Sequence, residues 1–134
     1  MRFRLAMTML AATVLAGVSL TQAARADGDP AKGAVVFNKC MPCHRIGPGA
    51  TNLVGPELNG LDGRHTGSAP GYNYSPANKK SGITWNKANF EKYIQGPQKM
   101  IPGTKMFFAG IHDHDQIENL WAYVSQFKAD GSKK

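Results

Sequence analysis

Cys40-Met41-Pro42-Cys43-His44 is the stretch whose chemistry decides how the rest of this chain is read. In C-x-x-C-H, two thiols can add to the two vinyl groups of a haem, and the adjoining histidine is carried beneath the iron as an axial ligand. All three groups must sit in one tight turn, and this spacing provides it. Other readings of the same residues fit less well. A thioredoxin-like redox pair calls for a βαβ context that the flanking sequence lacks. A zinc site needs a fourth protein ligand, and His112 and His114 are far from any recognisable partner motif. A structural disulfide leaves His44 without a role.

Upstream, Arg2 and Arg4 precede an uncharged stretch from Ala6 to Leu20, and Ala24-Arg25-Ala26 has the small-x-small form of a cleavage signal. Residues 1–26 read as a cleaved secretory signal peptide, cut near Ala26/Asp27, with 27–134 as one domain. The apolar run is short for a membrane anchor, which needs about 20 residues. Export suits c-type haem, which is attached outside the bacterial cytoplasm. The whole chain of 134 residues carries 16 Lys+Arg against 9 Asp+Glu, a formal +7. Loss of Arg2, Arg4 and Arg25 with the leader reduces this to 13 against 9, or +4. That balance makes nucleic acid an unattractive partner. A domain of this size buries only about 60 to 68% of its unfolded surface, so a cofactor would help complete its core.

Downstream, the pattern predicts three main helices. Asp29-Pro30 opens the first, which runs through Val35, Val36 and Phe37 towards Lys39. A second starts near Asn86, puts Phe90, Tyr93 and Ile94 on one face and stops at Gly96-Pro97. For the third, Asp115 and Glu118 suggest a capping box, Ile117, Leu120, Trp121, Val124 and Phe127 follow helical spacing, and Gly131 is the expected stop. Between Arg45 and Ile83, glycines and prolines break every period except a single turn that Ser75-Pro76 could cap. No strand is expected. A loop this long in a small domain signals function or a missing ingredient.

With His44 on one side of the iron, the opposite ligand decides between electron transfer and ligand chemistry. Met41 lies inside the attachment turn. Met106 follows the turn-rich Pro102-Gly103-Thr104-Lys105 and can reach the other haem face, where a thioether would raise the potential. Met100 is the alternative, although methionine beside aromatic residues is commonly core filler. A haem enzyme or gas-binding protein would have Met106 off the iron or easily displaced. A thiol–disulfide protein would have no haem at all.

The motifs V-G-P at 54–56, G-R-H-T-G at 63–67, P-G-Y-N-Y-S-P-A-N at 70–78, G-I-T-W at 82–85 and I-P-G-T-K-M-F-F-A-G at 101–110 accompany C-M-P-C-H over nearly all of 27–134. Together they resemble class I c-type cytochromes, and closely the bacterial cytochrome c2 group, relatives of mitochondrial cytochrome c. The resemblance implies an all-α fold, three main helices plus long loops wrapped around one covalently bound haem c. It gives Cys40 and Cys43 as attachment points and His44 and Met106 as axial ligands. It implies that the Pro56 carbonyl orients His44, that Arg64, Tyr74 and Trp85 meet the haem propionates, and that Asn78, Tyr93 and Thr104 form a polar cluster near the methionine.

With both axial positions filled, the iron would cycle between ferric and ferrous states as an electron carrier, not an enzyme. The implied setting is a soluble, monomeric periplasmic shuttle of photosynthetic or respiratory electron transport. Its partners would be a bc1-type complex, a photosynthetic reaction centre, a terminal oxidase or a periplasmic dehydrogenase, with no stable membrane insertion. Lys39, Lys99 and Lys105 are the docking candidates. The sequence departs from the lysine-rich mitochondrial pattern at His112-Asp113-His114-Asp115 and at Gln98.

Overall fold

A computed structural model of the chain describes residues 27–134, and the leader reading of 1–26 lies outside the described residues. Five helices follow one another: α1 (Pro30–Phe37), α2 (Pro76–Lys80), α3 (Lys87–Gln95), α4 (Pro97–Met100) and α5 (His114–Val124). Among the described residues there are no extended strands, only two isolated bridges, His65 with Thr84 and Phe127 with Lys133. The all-α expectation with long loops is met. Among the same residues no helix is long and apolar enough to cross a membrane.

Each helix start has a local chemical cause. The Asp29 carboxylate accepts from the amides of Ala31 and Lys32, and Pro30 occupies the first turn of α1. Ser75 caps α2 by accepting from Asn78 N. Asn86 caps α3 through Asn89 N at 2.9 Å. α1 ends earlier than Lys39: Asn38 is its C-cap, and tight turns continue the chain as Lys39 N donates to Val36 O and Cys40 N to Phe37 O.

Two boundaries differ from the sequence reading. α5 is capped by Asp113, whose carboxylate accepts from Gln116 N at 2.8 Å, so Asp115 falls inside the first turn and Glu118 is no capping-box partner. Glu118 is drawn instead to Lys87, 2.6 Å away. α5 also stops at Val124, short of Phe127 and Gly131. Beyond it the chain folds back on itself, Lys128 N donating to Ser132 O and Lys134 N to Gln126 O, which frees the Phe127 carbonyl for Gly60 N. Phe127 is nevertheless buried, with its ring 5.3 Å from that of Tyr123. The unexpected element is α4. Gly96-Pro97 does end α3, but the proline fixes the first turn of a second short helix.

α1 and α5 lie against each other with almost no separation. A Cβ on Gly33 would collide with the Asn119 carbonyl and lie 2.7 Å from Tyr123 Cβ. Phe37 stacks on Tyr123 at 5.3 Å, and Asn119 Oδ1 accepts from Asp29 N at 2.7 Å. α3 joins through Phe90 and Trp121, 5.2 Å apart. These buried aromatics, with Ile94, Ile111, Ile117, Leu120 and Val124, form the apolar wall behind the Cys40–His44 turn.

Two outcomes follow from this packing. Helix propensity alone would make Gly33→Ala stabilising by about 1 kcal/mol. The clash outweighs it, so the variant should instead lose at least about 2 kcal/mol in denaturant unfolding. Lys87 holds the Glu118 carboxyl below its ordinary value of 4.5. That ion pair therefore contributes above the unfolded value and is lost as pH falls through the lowered folded value. Lys87→Met should cost no more than about 1 kcal/mol at neutral pH, given solvent screening, with the two proteins converging in acid below the carboxylate range.

Candidate functional site

The turn that carries the cysteines is closed by backbone bonds, with Cys43 N and His44 N both donating to Cys40 O at 3.0 and 2.9 Å. No disulfide joins Cys40 and Cys43. Burial, with Cys43 as the smaller cause, pushes the Cys40 thiol up to about 11. A thiol held protonated is the opposite of the activated thiolate that a redox pair requires. Among the described residues no three His, Cys, Asp or Glu side chains converge as metal ligands, so the zinc reading has no ligand set there.

His44 is buried, and its Nδ1 lies 2.7 Å from the Pro56 carbonyl. Burial is the main cause that lowers its pKa, with Arg64 adding to the shift and the Pro56 bond opposing it. The ring is therefore neutral at neutral pH. A carbonyl can only accept, so Nδ1 carries the proton and Nε2 keeps its lone pair. Gly55 makes this close approach feasible, because a Cβ there would run into the ring. The segment is pinned as Gly55 N donates to Cys43 O and Leu58 N to Arg45 O.

Cys40, Cys43, His44, Pro56 and Met106 all line one cleft of about 260 Å³. Arg64, Tyr74, Asn78, Trp85, Tyr93 and Thr104 line it too. Met100 does not. It faces a separate hollow with Lys92, Lys99 and His112, and Met41 is exposed outside the cleft. Lys39 and Lys105 stand at the cleft, whereas Lys99 borders the second hollow. Phe107 reaches the cleft wall while remaining 88% exposed.

The polar groups divide into two sets. Around Met106, the Tyr93 hydroxyl lies 3.1 Å from Thr104 Oγ1, and the buried Asn78 lines the same part of the cleft. Burial raises the Tyr93 pKa, so the hydroxyl stays protonated. Met106 N donates to Thr104 Oγ1 at 3.3 Å. Gln98, on α4, donates to Thr104 O at 2.6 Å and weakly to Met106 O at 3.5 Å. In the sequence Gln98 stands out only as a departure from the lysine-rich pattern. Its clamping role depends on α4, and the one signal for α4 was Pro97, which also reads as a stop.

The second set surrounds Arg64. A short ladder brings it beside Trp85, with Trp85 N donating to Arg64 O at 2.8 Å and Gly63 N to Trp85 O at 2.7 Å. Arg64 pairs with Glu57 at 3.0 Å. Among the described residues, Arg64 Nε is the one buried side-chain nitrogen or oxygen without a hydrogen-bond partner. The Tyr74 hydroxyl accepts from Ala69 N at 3.0 Å, and burial raises its pKa, so its own proton remains available to donate. An arginine and a phenol with donors in hand suit an anionic group.

Two thiols, a neutral imidazole and a thioether thus share the lining of one cleft. The cytochrome c family model matches residues 30–128. A cytochrome c2 of Rhodoplanes tepidamans is 62% identical over 104 residues, covering 78% of this chain and 97% of that protein. A cytochrome c-550 of Nitrobacter winogradskyi is 60% identical over 107 residues, covering 80% and 98%. The solved structure of cytochrome c2 from Rhodospirillum centenum superposes with a TM-score of 0.71 at 40% identity, over 75% of this chain and 99% of that one. The chain belongs to the cytochrome c family. It is a haem-bearing c-type electron carrier, not an enzyme, and Cys40 and Cys43 have the spacing for covalent haem c.

The residues present fit that group: the donors left over on Arg64 and Tyr74 match its carboxylates, and the neutral His44 matches its metal. If Gln98 clamps the methionine loop, Gln98→Ala should raise hydrogen exchange at the Thr104 and Met106 amides by roughly fivefold or more, for a buried carbonyl that loses its donor. Amides within α1 and α5 should be unaffected.

Proposed function

We propose that this chain is a soluble, monomeric periplasmic shuttle of single electrons, with one haem c joined to Cys40 and Cys43 and its iron held between His44 and Met106. The observation that carries this reading is the convergence of those four side chains on one cleft that excludes Met41 and Met100. The bound haem would supply a one-electron iron couple in a low-dielectric setting.

The chain's own residues set the conditions for that couple. His44 donates a hydrogen bond from Nδ1–H to the Pro56 carbonyl and so keeps Nε2 basic and fixed in direction. Tyr93, Thr104, Asn78 and Gln98 hold the loop that carries Met106. Arg64, Tyr74 and Trp85 serve the two propionates, which need donors and positive charge when removed from water. A ligand set held alike in both oxidation states leaves little to reorganise during transfer.

Lys39 and Lys105 support docking at the cleft mouth, with Lys99 further off on α4. Partners would be a bc1-type complex on one side and a reaction centre, oxidase or periplasmic dehydrogenase on the other. Their association should weaken as salt rises. The leader reading of residues 1–26 supports the periplasmic location.

The oxidised protein should show the weak far-red band of iron–methionine ligation. Met106→Ala should abolish it and Met100→Ala should leave it intact, and loss in the second variant alone would overturn the ligand choice. A pyridine haemochrome assay should give one haem per chain, and amino-terminal sequencing of the exported protein should begin at Asp27.

A further inference from the structure

Glu57 directly follows the V-G-P motif at 54–56. In the fold it is the carboxylate that grips Arg64. Both side chains are largely buried, with 13% of Arg64 and 17% of Glu57 exposed. Arg64 Nη1 donates to Glu57 Oε1 and to the Asn59 carbonyl, each at 3.0 Å, and Nη2 donates to the Glu57 carbonyl at 2.8 Å. The carboxylate is itself anchored, since Glu57 Oε2 accepts from Asn59 N at 2.6 Å. A guanidinium has five N–H groups. The three bonds above hold its Nη side, while Nε–H is buried and undonated. Arg64 lines the cleft and Glu57 does not, so the acid stands outside the wall and holds the base within it.

We propose that Glu57 is a positioning residue for electron transfer: it fixes the Arg64 guanidinium with Nε left for the cleft, and its paired charge keeps the reduction potential below the value an unpaired arginine would set. This rests on the reading that Arg64 serves the haem propionates. A cation near the iron favours the ferrous state, because reduction removes one positive charge, and a carboxylate favours the ferric state. Buried charges act at low effective dielectric and are poorly screened by salt. The pair is therefore a fixed setting of the couple, independent of the exposed lysines that guide docking.

The test is a spectroelectrochemical titration of the haem-loaded protein against a reference couple. Glu57→Gln removes the charge and should move the exchange equilibrium towards the ferrous form by about threefold or more, the modest end of what a buried unit charge exerts. Glu57→Thr, a second neutral variant, must move it in the same direction. Glu57→Asp keeps the charge and should stay near the parent. Arg64→Gln should move it the opposite way. If Arg64→Gln shifts the equilibrium while both neutral Glu57 variants leave it unmoved, the role of Glu57 is overturned and that of Arg64 stands. If neither position moves it, the reading of Arg64 falls as well. An aspartate variant that shifts as far as the glutamine variant also overturns the proposal, because the effect would then follow shape and not charge.

Discussion

The bond from His44 Nδ1 to the Pro56 carbonyl is the constraint on which the site depends. It ties the C-terminal end of the cysteine turn to a segment twelve residues further on, and it works only because Gly55 has no side chain to keep the ring away. The same segment is locked from both ends by Gly55 N to Cys43 O and Leu58 N to Arg45 O. One hydrogen bond thus fixes the tautomer, the direction of the Nε2 lone pair and the position of the wall from which Glu57 and Asn59 reach Arg64. Removal of the carbonyl's geometry would disturb the imidazole and the arginine grip together.

The helices with strong local causes were legible in the sequence: Asp29-Pro30, Ser75-Pro76 and Asn86 each supply a cap where one is seen. The start of α5 was ambiguous because two overlapping signals compete. Asp113 and Asp115 both precede an amide-rich turn, and Glu118 looks like a capping partner until Lys87, from α3, claims it. That competition is tertiary and leaves no trace in local spacing. α4 was hidden for a different reason, since four residues cannot display a helical period. Cys40, Cys43, His44 and Met106 were legible through motif chemistry. The Arg64–Trp85 contact was legible only through family resemblance, because the two residues that make the ladder lie 21 apart in sequence, on either side of α2. Glu57 and Gln98 were not legible at all: each acts on a backbone or side chain whose position is fixed elsewhere in the fold.

The lysines are partnered in two ways. Lys87 and Lys134 are matched with carboxylates, at 2.6 Å to Glu118 and 3.3 Å to Asp62. The two lysines at the cleft are held by neutral acceptors instead: Lys39 Nζ donates to Gln116 Oε1 at 2.7 Å and Lys105 Nζ to the Asn73 carbonyl at 2.6 Å. A neutral acceptor restrains a flexible side chain without cancelling its charge, which lowers the ordering cost of any contact that charge goes on to make. The formal +7 of the whole chain then matters less than where its uncompensated part sits. The restrained lysines line the same cleft as the exposed Phe107, so docking at this face, as proposed above, would combine long-range attraction with a small water-excluding contact. His112-Asp113-His114-Asp115 does not line the cleft, and Asp113 is committed to capping α5. At Asp113 its departure from a lysine-rich pattern thus serves the helix that backs the cleft, while the two restrained lysines sit in the turn after α1 and in the methionine loop.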